Sequence, residues 1–267
     1  MPFTLAHPAA VLPLRRTKLV FSALVIGSMT PDLPYFLTLE DGIRFGHTWR
    51  GIFLFCMPAG LAMLWIFHAV LKRPLVSLAP EFMRRRISER SLAFSFGPAP
   101  RFLLILGSLL LGTLTHILWD GFTHENGYFV KHWAVLHSPV MLYRVMPLWK
   151  ALQAVCSAAG CGLVIAVATW WWYQMPEVDE PVTPTFGAKS RWTILAIGVL
   201  IPTLAGLAGS WPFWRFNWKD AITHLVIAGI AATFAEIVLF SLAWRACHKS
   251  EKPLDSDVQR LNVPVER

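Results

Sequence analysis

Residues 102–120 read FLLILGSLLLGTLTHILWD. This stretch decides the fold class. It is apolar for most of its length, carries no charge before Asp120, and matches the ~20 residues a helix needs to cross a hydrocarbon core. Four further stretches have the same character: 51–71, 151–173, 192–211 and 221–244. Together they predict an all-α, polytopic transmembrane helical bundle with five full spans. A sixth apolar segment, 19–39, is interrupted by Thr30-Pro31-Asp32-Leu33-Pro34. Two prolines and an aspartate leave backbone groups unpaired in lipid, so a break is expected near Pro31.

Composition agrees. The chain has 267 residues, 55% of them hydrophobic and only 15% charged. Soluble domains carry roughly a quarter charged residues. The mean hydropathy is +0.50. Trp49, Trp149, Trp192, Trp211 and Trp244 flank apolar runs, as Trp does in the headgroup zone. The net charge of +8 does not indicate nucleic acid, because the basic residues cluster beside apolar runs, where the positive-inside rule places them. Cys56, Cys156, Cys161 and Cys247 lack zinc-ribbon spacing and read as small core residues. The apolar stretch after Arg15, Arg16 and Lys18 lacks a small-x-small cleavage site before Pro31, so it reads as retained.

Loop charge orients the spans. The loop 72–101 carries Lys72, Arg73, Arg84, Arg85, Arg86, Arg90 and Arg101 against Glu81 and Glu89, which places it in the cytoplasm. Alternation then puts 40–50, 121–149 and 212–219 outside, and 174–191 and the tail after Trp244 inside. The expected location is a bacterial inner membrane. The expected organisation is an N-terminal membrane domain over 1–150, a C-terminal three-helix membrane segment over 151–245, and a polar cytoplasmic tail over 246–267. There is no internal repeat and no low-complexity tract.

Chemistry-bearing residues gather at helix ends in the first half: His7, Asp32, His47, His116 and Asp120. His116 and Asp120 are four apart and share a helix face. Imidazole and carboxylate both ligate zinc, so the pair can chelate one ion. An aspartate costs about 2.5–3.5 kcal/mol at the centre of a membrane helix, and such residues usually mark function. A plainer reading has Asp120 end the helix before Gly121, with His116 bonded to a neighbouring helix. Asp32 sits on the non-helical break, placed either to reach a site or to punctuate the helix. His47 lies at the outer start of the next span, on the same side as Asp32 and Asp120.

His7 joins that side only if the N-terminus forms a helical hairpin. Residues 5–14 would descend, Arg15-Arg16-Thr17-Lys18 would form a shallow tip, and 19–29 would return. As α-helices the arms are about 15 and 17 Å long. Long basic side chains at the tip can snorkel towards the far surface. After Asp120 come His124, Glu125, His132 and His137. His124 is the best further ligand, being near the His116 face if the helix continues. The others fit a solvated interfacial loop. His68 and His224 read as packing residues, and Glu236 is an intramembrane carboxyl without an assigned role.

The opening Met1-Pro2-Phe3-Thr4-Leu5-Ala6-His7-Pro8-Ala9-Ala10, the segment Gly27-Ser28-Met29-Thr30-Pro31-Asp32, the pair His47-Thr48 and the run Gly112-Thr113-Leu114-Thr115-His116-Ile117-Leu118-Trp119-Asp120 resemble a bacterial membrane family of unknown function. More remotely they are similar to inner-membrane metal-dependent hydrolases and, through those, to zinc-dependent phospholipase C. The resemblance covers about 1–150. It implies that His7, Asp32, His47, His116 and Asp120 are the site residues. The remote hydrolases tend to show a richer His-Arg-Gly-x-Thr-His cluster, where this chain has only His47-Thr48-Trp49-Arg50-Gly51.

The expected function is a membrane-embedded, metal-dependent hydrolase with a divalent ion, most simply zinc. His7, His47, His116 and His124 would supply imidazole nitrogens, and Asp32 and Asp120 carboxylates. One carboxylate would act as general base. A site at the outer membrane–water interface points to membrane lipid as partner and to a lipid-like ester or phosphodiester as substrate. The rival expectation is a non-enzymatic metal-binding scaffold or transporter. The sequence has no nucleotide-binding loop and no Ser-His-Asp pattern, and it does not give an oligomeric state.

Overall fold

The structure is a computed structural model describing residues 3–40, 42–179, 182 and 186–248. The described residues are mostly helical, with short helices α1 (Phe21–Gly27) and α2 (Leu33–Thr38) near the start. Five longer helices follow: α3 (Trp49–Leu78), α4 (Ala99–Thr123), α5 (Leu148–Gln174), α6 (Ala188–Ser210) and α7 (Trp218–Cys247). All five are long and apolar enough to cross a membrane. The expected class and span count are therefore borne out, and every helix but α6, which ends at Ser210, runs past its apolar stretch at both ends. Sequence reasoning did not anticipate a two-stranded antiparallel ribbon between α4 and α5, formed by β1 (Pro139–Met141) and β2 (Val145–Pro147).

Two compact units emerge, one of Met1–Leu64 and Phe96–Gln174, the other of Trp65–Ser95 and Met175–Arg267. In the first, the N-terminal segment is the anticipated hairpin. Its two ends meet, with Thr4 Oγ1 donating to Asp32 Oδ2 at 2.6 Å. The arms differ from expectation. The first is a 3₁₀ helix over Thr4–Arg16, not an α-helix. Pro8 and Pro13 explain this, since a proline ring clashes with the carbonyl four residues back in an α-helix. At about 2.0 Å per residue the arm is much longer than an α-helical one. It runs parallel to α5: the Phe3 N–H donates to Ser157 Oγ at 3.0 Å, and the Arg15 guanidinium lies 5.4 Å from the Trp170 ring. The basic tip therefore lies level with the far end of α5 and is not shallow.

The return arm, α1, runs parallel to α4. The Val20 N–H donates to Ser108 Oγ at 3.0 Å, and His116 Nδ1 meets the Ser28 carbonyl at 2.7 Å. Between these anchors the backbones touch. A Cβ on Gly112 would fall 2.3 Å from the Leu24 carbonyl oxygen, and one on Gly27 the same distance from that of Leu109. Small residues permit such approach where lipid gives helices no hydrophobic reason to associate.

In the second unit, α6 and α7 pair along their lengths. The lower part of α3 contains a wide turn at Ile66–Leu71, ahead of Pro74. It is one of two such turns in α3, the other lying at Ile52–Cys56 ahead of Pro58. Wide turns of this kind absorb a proline without breaking the helix. The Val70 carbonyl, four residues before Pro74, accepts from Arg245 Nε at 3.2 Å, which satisfies a backbone group in a medium with no water to do so. His68 stacks on Phe94 at 3.7 Å and His224 on Phe213 at 3.8 Å, the packing roles expected of them. Glu236 Oε2 is buried without a hydrogen-bond partner among the described residues.

Candidate metal centre

One face of α4 builds half of the site. Ser108, Gly112, His116 and Asp120 recur every four residues, one turn above another. Ser108 and Gly112 seat α1, and that seat brings the Ser28 carbonyl, an acceptor left open at the C-terminal end of α1, against His116. With Nδ1–H donated there, His116 turns its Nε2 lone pair towards the centre. Such a backbone contact to the far nitrogen is what fixes tautomer and orientation in metal-bound imidazoles.

The other half comes from two short turns. Thr30–Asp32 is a 3₁₀ turn after α1, and it is pinned by Thr30 Oγ1 donating to the Gly27 carbonyl at 2.9 Å and by Thr113 Oγ1 at 3.3 Å. Phe45–His47 is a second 3₁₀ turn. It lies flat on the first because Gly46 has no side chain: a Cβ there would fall 2.4 Å from the Pro31 carbonyl oxygen. Thr48 caps the start of α3 by accepting from the Gly51 N–H at 3.0 Å, which fixes the loop that carries His47.

Four side-chain atoms from these pieces converge: Asp32 Oδ1, His47 Nε2, His116 Nε2 and Asp120 Oδ2. His47 Nε2 lies 3.3 Å from His116 Nε2, 3.1 Å from Asp120 Oδ2 and 3.6 Å from Asp32 Oδ1. His116 Nε2 lies 3.4 Å from Asp32 Oδ1 and 3.3 Å from Asp120 Oδ2. Four donors held tetrahedrally at zinc's usual ~2.0–2.1 Å stand about 3.3–3.4 Å apart. These five separations straddle that value, and all four donor atoms lie within 4.8 Å of one another, so the group could hold a single cation.

The electrostatics point the same way. Asp32, His116 and Asp120 are buried. No Lys or Arg ion pair to either carboxylate occurs among the described residues; the basic groups beside them are imidazoles, charged only when protonated. Asp32 Oδ1 has no hydrogen-bond partner among the described residues, an arrangement that is costly for a buried carboxylate left uncompensated. The oxygen is aimed into the space between the four donors.

All six residues singled out in the sequence meet here, but in two roles. His7 stacks on His116 with ring centroids 3.7 Å apart and directs Nε2 to Asp120 Oδ1 at 3.1 Å. His124 Nδ1 approaches the same oxygen at 3.4 Å. Both stand around the outer oxygen of Asp120, whereas its inner oxygen belongs to the four-donor group. His132 and His137 bond to the carbonyls of Tyr128 and Val130 at 2.6 and 2.9 Å, so they hold the loop together. Sequence reasoning missed Thr4, the Ser28 carbonyl, Thr30 and Thr113. Thr4 lies three before His7 and so shares its face in the 3₁₀ arm, a relation that reading the arm as an α-helix did not bring out.

Neither a curated protein nor a solved structure matches the chain, so no hydrolase or phospholipase relative is added to the resemblance of the first half. A family profile described as "Domain of unknown function (DUF4184)" matches residues 1–242, well past the first half. The chain belongs to that family.

Proposed function

We propose that the protein is a membrane-embedded, metal-dependent hydrolase acting on a lipid-like ester or phosphodiester at the outer membrane–water interface. The observation that carries this reading is the His116 lone pair. The Ser28 carbonyl fixes Nε2 towards two carboxylate oxygens 3.4 and 3.3 Å away, an arrangement that a positive charge between them stabilises, whether a metal ion or a proton on Nε2. Asp32, His47, His116 and Asp120 would hold that ion, with zinc as the simplest choice for a mixed nitrogen and oxygen set. When bound, such an ion supplies hydroxide at neutral pH and polarises an ester or phosphoryl oxygen. His7 and His124 orient Asp120 through its outer oxygen. One of the two carboxylates, Asp32 or Asp120, would serve as general base. His47 is the most exposed of the four donors, its side chain 18% accessible, so substrate would approach past it.

A second reading has its own support. Four protein donors close a tetrahedral shell, whereas catalytic zinc sites commonly keep one position open. That favours a non-enzymatic metal-binding scaffold. A transporter is less well supported, since Glu236 is the main acidic group within the other spans. Metal analysis of the purified chain, beside His116→Ala and Asp120→Ala, separates these readings when combined with turnover assays on phospholipids and phosphodiesters. Metal with turnover supports the hydrolase. Metal without turnover supports the scaffold. Absence of metal from the mildly purified wild type removes both.

A further inference from the structure

The ribbon between α4 and α5 is apolar on both faces. Residues alternate sides along a strand, and Val140 pairs with Met146 while Met141 pairs with Val145. Met146 is 5% exposed and faces the protein. Met141 and Val145 point the other way and are 74% and 63% exposed. The tip between the strands adds Leu142 and Tyr143, the latter 71% exposed. Water-facing ribbon positions are ordinarily polar, and a lone two-stranded hairpin is only marginally stable. Something apolar therefore covers the outward face.

Its position says what. The ribbon is tied at one end to α4 and at the other to α5, two spans of the same compact unit. Residues 124–147 thus lie at one bilayer face. Charge agrees. Between Glu125 and Glu177 there is no acidic residue, while Lys131, Arg144 and Lys150 are basic. The Arg144 guanidinium lies 5.6 Å from the Tyr143 ring, an aromatic and cationic pairing suited to the headgroup zone.

We propose that β1, β2 and their tip form a membrane-seated platform. Met141, Leu142, Tyr143 and Val145 enter the boundary between headgroups and acyl chains, and Arg144 and Lys131 contact lipid phosphates. The platform lies on the same bilayer side as the Asp120 end of α4. The proposal does not depend on the site being catalytic.

The test uses the full chain in vesicles of phosphatidylcholine and phosphatidylglycerol. Spin labels are attached at Tyr143→Cys and, as a water-exposed reference, Glu125→Cys, with the signal of the wild-type cysteines subtracted. The Tyr143 label should collide with dissolved oxygen several-fold more, and with a water-soluble nickel complex several-fold less, than the Glu125 label. Equal access to the nickel complex overturns the proposal. Shielding from both reagents also overturns it, because a second copy or another protein would then cover the ribbon. Met141→Cys and Val145→Cys read the same face, so one poorly folding variant does not decide the result.

Discussion

At the scale of single residues, the site separates into groups that would hold an ion and groups that hold those groups. His116→Ala and Asp120→Ala should each abolish bound metal, read by elemental analysis of purified protein. His7→Gln should behave differently. His7 reaches the outer oxygen of Asp120 and stacks on the His116 ring but contributes no donor atom to the group of four, so its loss should weaken metal affinity by about 10–100-fold, as outer-shell changes do, without lowering the stoichiometry at saturation. A competition titration with a chelator reads that difference. An equal loss in all three variants would mean that His7 is itself a ligand. The His-x-x-x-Asp spacing made one face of the site legible in the sequence, because helix geometry fixes which side chains are neighbours. The convergence of Asp32 and His47 was legible only as a shared end of the bundle. The Ser28 carbonyl was not legible, since a backbone acceptor leaves no mark on residue identity.

At the scale of elements, the site depends on how closely α1 lies on α4. Gly112→Val should force the two apart, because its Cβ would begin 2.3 Å from the Leu24 carbonyl oxygen. Overpacking of this kind typically costs ~1–3 kcal/mol. Thermal unfolding in detergent should show a lowered midpoint, and metal content should fall because Ser28 and Asp32 move away with α1. Gly107→Val on the same helix meets no atom within 4 Å and should leave both readouts unchanged. If both variants retain metal and stability equally, close packing is not what positions the site. The spans were readable from apolar length alone, since lipid imposes that length. The form of the first arm was not: Pro8 and Pro13 argue against an α-helix, but proline chemistry alone does not select a long 3₁₀ run. The ribbon escaped notice because its strands are short and apolar on both sides, so no alternation marks them.

At the scale of the whole molecule, charge asymmetry predicts an orientation for the chain. A reporter active only outside the cytoplasm, fused after Lys131, should be active, and the same reporter placed within 72–101 should be silent. The reverse pattern would put the site on the inner face and remove the outer-leaflet substrate from consideration. The meeting of Thr4 with Asp32 bears on a different matter, the order in which the protein is made. His7 and Asp120 touch across 113 residues of sequence, and His116 is reached by Ser28 only after 88. Chains are synthesised at about 5–20 residues per second, so the N-terminal hairpin waits on the order of ten seconds for α4. Throughout that interval its buried aspartate and histidine lack their eventual partners, and the hairpin has no close-fitting helix to lean on. Shelter for the polar ends of the hairpin until α4 arrives would offset the cost of that interval.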